Sequence, residues 1–131
     1  MYNEVVMSRF QNPRNAGIIT SADGVGQVGN VRSGDIMKIY LRIEKGVITN
    51  ARFKTFGGVS AIAATDVACD MVKGKTIDEA LKITNQDILR ELAGLPDIKL
   101  HCSVLAQEVI ADAIKDYHKK LEKENNNKKK K

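Results

Sequence analysis

Cysteine is scarce in this chain: 131 residues hold only two, Cys69 and Cys102. Two thiols cannot build a disulfide framework, so the fold must rest on an apolar core. The 43% hydrophobic composition is enough to form one. No apolar run is long enough to cross a bilayer. The start, Met1-Tyr2-Asn3-Glu4, lacks the basic stretch and apolar run of an export signal. These absences point to a cytoplasmic protein with reduced thiols and no membrane partner. Charge of one sign is also missing from most of the chain. The net +5 comes from residues 119–131, which hold seven lysines and two glutamates. The first 118 residues balance fourteen basic against fourteen acidic side chains. A neutral domain speaks against nucleic acid as a partner. The chain therefore divides into one domain, 1–121, and an Asn/Lys-rich tail, 122–131, expected to be disordered.

What is present reads in order along the chain. Tyr2 to Phe10 suits a short amphipathic helix, and Asn12-Pro13 ends it, because the residue before proline avoids helical angles. Residues 23–29 are glycine-rich and read as a loop leading into a strand. They include a G-x-G-x-x-G match at Gly24, Gly26 and Gly29. No strand pattern precedes it and no helix pattern follows, so it does not read as a dinucleotide site. Ile36 to Ile43 alternates, with Met37, Ile39, Leu41 and Ile43 on one face. Lys45-Gly46 turns the chain into a second strand, Val47 to Phe56, with Val47, Ala51 and Phe53 sharing a face. Gly57-Gly58 breaks it. A helix follows from Ser60 to Lys73, with Ala61, Ala64, Ala68, Met71 and Val72 as its apolar stripe. Cys69 lies amid these alanines and reads as a buried structural thiol. Thr76 with Glu79, and Thr84 with Asp87, match helix N-terminal boxes. A last helix runs from Ser103 to Leu121. The class is α+β: an antiparallel sheet with helices packed on one face.

The stretch Leu95-Pro96-Asp97-Ile98-Lys99-Leu100-His101-Cys102-Ser103 carries chemistry. It sets a thiol beside an imidazole at the start of a helix. Unpaired N–H groups and the helix dipole there are expected to favour the thiolate, the form that binds metal and attacks sulfur. The imidazole is a candidate second ligand or proton acceptor.

These segments together resemble the U-type iron–sulfur cluster scaffold proteins, the IscU and NifU N-terminal family. Asn12-Pro13-Arg14-Asn15 looks like that family's N-P-R-N, and Ser33-Gly34-Asp35-Ile36-Met37-Lys38 like its C-G-D-x-M-K. Ala51 to Gly57, Val72 to Thr76 and Leu95 to Lys99 also match, the last with Asp97 where L-P-P-x-K is common. His101-Cys102-Ser103 matches the third metal-binding segment. The resemblance covers the chain to about Lys120. It departs at two of three family cysteines: the first falls at Ser33 and the second at Gly58. Val59 stands where a small residue follows the second.

The resemblance implies a scaffold for iron–sulfur cluster assembly, not an enzyme, that accepts sulfur from a cysteine desulfurase at Cys102. It implies Asp35, His101 and Cys102 as metal ligands, with Ser33 as a weak further ligand. It implies Leu95, Pro96, Asp97, Ile98 and Lys99 as the docking segment for an Hsp70-type chaperone. A [2Fe–2S] cluster needs four terminal ligands, normally thiolates. With one thiolate left, such a cluster is expected to be transient or to bridge a homodimer, while zinc suits the mixed set. Each residue also suits a plainer role: Asp35 in a turn, His101 as a packed or capping imidazole, Cys102 as core. The alternative function is a divergent relative without a stable cluster, acting as an interaction or regulatory protein for the desulfurase or chaperone.

Overall fold

The computed structural model describes residues 1–32 and 34–129, with the side chain of Lys129 left aside. Strand β2, Asp35–Glu44, buries Met37, Ile39, Leu41 and Ile43 and turns Lys38, Tyr40 and Arg42 outward. It pairs antiparallel with β3, Val47–Phe56. Lys45 and Gly46 join them at φ 53° and 76°. Two positive φ values match the twist of a tight hairpin. The inward face of β3 differs from the alternation expected for it. Arg42 faces Asn50 but Ile43 faces Ile48, so Thr49 is an extra residue. This bulge reverses the side-chain parity, and Ile48 rather than Val47 joins Ala51 and Phe53 in the core.

The glycine-rich segment is not a loop. Gly24–Asn30 forms strand β1, paired with β2 from Gly24 opposite Leu41 to Asn30 opposite Asp35. Its glycines serve the last helix, α5 (His101–Lys129). A Cβ at Gly24 would lie 2.4 Å from the Ala113 carbonyl oxygen, and one at Gly26 2.5 Å from the Ala113 nitrogen. Glycine here permits close backbone approach rather than a turn. Asp112 and Asp116, one helical turn apart on α5, accept hydrogen bonds from the Gln27 and Val25 amides at 2.9 and 2.8 Å. They occupy the outer edge of β1, which a sheet otherwise leaves open to pairing with another chain. At the opposite edge the Phe53 amide donates to the Asn15 carbonyl, and the Phe53 carbonyl accepts from Gly17, both at 2.9 Å.

Four further helices complete the domain: α1 (Glu4–Gln11), α2 (Val59–Val72), α3 (Ile77–Leu81) and α4 (Asn85–Glu91). Helices α2 and α5 cover the apolar sheet face, which gives the expected α+β architecture. Both expected capping boxes form, with the Thr76 and Thr84 hydroxyls accepting from the Glu79 and Asp87 amides. The N-P-R-N stretch is anchored on α2. Asp66, fully buried, accepts from the Asn15 amide at 2.9 Å and from Arg9 at 2.9 Å. Asp70 accepts from Arg9 and from the Asn15 side chain, and Lys73 donates to the Asn15 side-chain oxygen. Asn15 thus binds α2 with side chain and backbone alike, which fixes the strand-like segment at the β3 edge.

Helix α5 does not stop at Leu121 but continues to Lys129. Each added residue gains one hydrogen bond without a new nucleation cost, and late lysines suit the negative end of the dipole. Residues 122–128 are all exposed. Removing residues 122–131 is therefore expected to leave the melting temperature within a degree or two, since no buried apolar side chain is lost. A scanning-calorimetry drop of several degrees would show that this end packs on the domain.

Candidate metal centre

Three chain segments meet at one end of the sheet. The first is the start of β2. Gly34, at φ 79°, closes the β1–β2 turn, and its amide donates to the Val31 carbonyl at 3.2 Å. Asp35 follows and is only 5% exposed. The second is the break after β3. A Cβ at Gly57 would lie 2.5 Å from Asp35 Oδ1, so only glycine lets the carboxylate settle there. Gly58 is the N-cap of α2, in an extended conformation with no side-chain cap. A Cβ at Gly58 would meet nothing within 4 Å. Two residues on, the Ser60 hydroxyl is buried without a hydrogen-bond partner among the described residues.

The third segment is the entry to α5. A short 3-10 turn, Asp97–Lys99, leads into the helix at His101. His101 Nε2 lies 3.0 Å from Asp35 Oδ2, and Cys102 Sγ lies 3.7 Å from His101 Nε2. The His101 side chain is 46% exposed, whereas Cys102 is 1% exposed. One ligand atom from each of Asp35, His101 and Cys102 falls within 4.8 Å of the others. The residues singled out from sequence, 67 positions apart at their extremes, are thus brought together. Ser33 lies outside the described residues. In the Leu95–Lys99 segment, Leu95 packs against the core while Ile98 is 82% exposed. Cys69 is fully buried in α2, and burial raises its thiol well above the ordinary value. It is a core thiol, as its alanine neighbours suggest.

The protonation of Cys102 differs from the sequence expectation. Burial, then the Asp35 charge, push its thiol up to about 11, against a smaller pull from Lys99. Burial and the Asp35 carboxylate outweigh the helix start, where the Ser103 amide is already engaged by the Leu100 carbonyl. The metal-free protein therefore keeps Cys102 neutral at pH 7. The unfolded thiol titrates near 9.0, so Cys102 contributes full stability below that pH. The unfolded chain then ionises first, and this contribution is lost as pH rises from 9.0 toward 11. Ultraviolet thiolate absorbance of the Cys69→Ser protein should titrate near 11, and nearer the ordinary value in Asp35→Asn. Titration of both below 9 would remove the carboxylate from this account.

The donor set fits one borderline metal ion better than a whole cluster. Carboxylate, imidazole and thiolate are all zinc or iron(II) ligands, and three of them leave an open position. A [2Fe–2S] cluster needs four terminal ligands. The described residues of one chain offer three, and Gly58 offers none. Gly57 and Gly29 were missed from sequence as parts of the site. A Cβ at Gly29 would lie 2.0 Å from the Asp35 carbonyl oxygen. The Gly57-Gly58 doublet was the available signal, but it reads equally as a strand stop.

Residues 1–124 match the NifU-like N terminal domain. The chain belongs to that family. Among its relatives, the iron–sulfur cluster assembly scaffold protein IscU 1 of Archaeoglobus fulgidus is 50% identical over 120 residues. That match covers 92% of this chain and 78% of the relative. The scaffold protein IscU of Escherichia coli K12 is 46% identical over 125 residues, covering 92% of this chain and 97% of its own. In fold, this NifU-like domain resembles a crystal structure of a NifU-like N-terminal protein from Brucella abortus. The TM-score is 0.74 at 20% identity, covering 90% of this chain and 94% of that one.

Proposed function

We propose that this NifU-like domain is a scaffold for iron–sulfur cluster assembly rather than an enzyme. It receives sulfur at Cys102 and holds iron or zinc between Asp35, His101 and Cys102. The convergence of these three donors within 4.8 Å carries the proposal, and kinship with proteins named as assembly scaffolds supports it. The cluster is cargo, formed and handed on. His101 Nε2 stands 3.0 Å from Asp35 Oδ2 and 3.7 Å from Cys102 Sγ, so the imidazole links the carboxylate to the thiol in one ligand group. Asp35 makes the site labile, because carboxylate oxygen holds soft iron less tightly than thiolate does.

The sulfur donor is a cysteine desulfurase. An Hsp70-type chaperone takes the Leu95–Lys99 segment, whose exposed Ile98 offers an apolar handle. A [2Fe–2S] cluster is held transiently, or between two copies of the chain that pool their ligands. The free thiols suit the cytoplasm, and no helix among the described residues is long and apolar enough to cross a membrane. Anaerobic reconstitution with iron(II), a desulfurase, cysteine and a thiol reductant, which supplies the electrons that take the transferred sulfur to sulfide, tests the proposal. Iron and acid-labile sulfide should both appear, and both should vanish in Cys102→Ser. Persistent absence of both from the parent protein would favour an interaction protein without a cluster.

A further inference from the structure

The helices cover one face of the sheet, and the other carries an unbalanced charge. Lys38 on β2 stands directly opposite Lys54 on β3, and Tyr40 stands opposite Arg52. Like charges placed opposite one another across a sheet are destabilising. Arg42, on the same face, has Asp23 at 3.4 Å. Among the described residues, no carboxylate pairs with Lys38, Arg52 or Lys54. Lys38 instead lies over the Tyr40 ring at 5.4 Å, and Arg52 donates to the Ala16 carbonyl. Beside these cations runs a groove of about 630 Å³, lined in part by Phe10, Ile36 and Phe56. Phe56 is 73% exposed.

We infer that this face docks an extended acidic segment of a partner protein, one that alternates carboxylates with aromatic or aliphatic side chains. Arg52 and Lys54 are two residues apart on one strand, a separation of about 6.8 Å. That is also the spacing of alternate side chains on an extended segment laid along the face. The groove beside them suits the apolar side chains. A second copy of the chain is disfavoured, because a two-fold contact through this face sets three cations against three. Nucleic acid would use the cations, but the first 118 residues carry no net positive charge to hold a phosphate backbone beyond this patch. The inference is independent of the metal centre, which uses none of these side chains.

A synthetic peptide alternating glutamate with phenylalanine and leucine probes the face, titrated into the isotope-labelled full chain at low salt. Amide shifts should cluster at residues 36–40 and 52–56. Binding should weaken about tenfold in Lys38→Glu and severalfold in Phe56→Ala. Because Lys38→Glu turns a like-charge pair into an opposite-charge pair, its melting temperature should stay level or rise. That excludes unfolding as the reason for lost binding. Three results overturn the inference: equal binding of a peptide with lysine in place of glutamate, shifts centred on residues 118–128, or tighter binding of oligothymidine than of the acidic peptide. A fall of several degrees in the Lys38→Glu melting temperature also overturns it, since Lys38 would then serve the fold itself.

Discussion

Replacing both missing thiols, Ser33→Cys with Gly58→Cys, should turn poor cluster retention into stable retention. The parent chain offers one thiolate among its described donors, whereas the double variant would offer three beside Asp35 and His101. Each new sulfur replaces a weak or absent ligand with a soft anionic one. Gly58 is well placed for this change: its φ is −87°, which any residue adopts, and a Cβ there meets nothing within 4 Å. It also caps α2, where the helix dipole favours a thiolate. Anaerobic reconstitution of parent and variant, followed by visible absorption over hours in air, is the comparison. The variant band should outlast the parent band at least tenfold. A parent that already holds a full, long-lived cluster would show that another ligand fills the gap. Equal failure of both would show that the three-donor arrangement no longer serves clusters.

The second large effect lies away from the site. Asp66→Ala should cost about 3 kcal/mol, because it leaves the buried Asn15 amide without its acceptor and takes from the half-buried Arg9 one of its two carboxylates. For a domain of this size that lowers the melting temperature by roughly 10 °C. Asp66 is fully buried and takes Arg9 on one oxygen and Asn15 on the other. Asp70, more exposed, should cost less when removed. Burial works against its charge, but Arg9 and Asn15 hold its carboxyl below the usual 3.8. Its contribution is therefore full above 3.8 and is lost as pH falls through the lower folded value. Urea melts of Asp66→Ala and Asp70→Ala at pH 7 and pH 3 measure both effects. An Asp66→Ala loss below 1 kcal/mol would mean that the network is not a main support of the fold.

The β2–β3 hairpin was legible because alternation and the Lys45-Gly46 turn state it locally. The helices were legible because apolar spacing and the two capping boxes agree. Strand β1 was not, since its glycines carry no alternation, and their reason, the backbone of α5 at Val109 and Ala113, lies 83 or more positions away. The bulge at Thr49 was hidden for a similar reason: parity along a strand is visible in sequence, but a register shift is set by its partner. At the site, resemblance pointed to Asp35, His101 and Cys102, and the fold brings them together. The charge state of Cys102 was misjudged because helix position is local, whereas burial and the Asp35 charge come from elsewhere in the fold. The anchoring of Asn15 on Asp66 could not be read from spacing at all.

Cobalt(II) titration of the full chain tests most directly whether Asp35, His101 and Cys102 act as one ligand set. Cobalt takes the same ligands as zinc and reports each thiolate by a charge-transfer band. The account predicts one cobalt per chain with a single-thiolate band. That band should vanish in Cys102→Ser, weaken in His101→Ala and Asp35→Ala, and remain unchanged in Cys69→Ser. A band that survives Cys102→Ser, or one that disappears in Cys69→Ser, would contradict it.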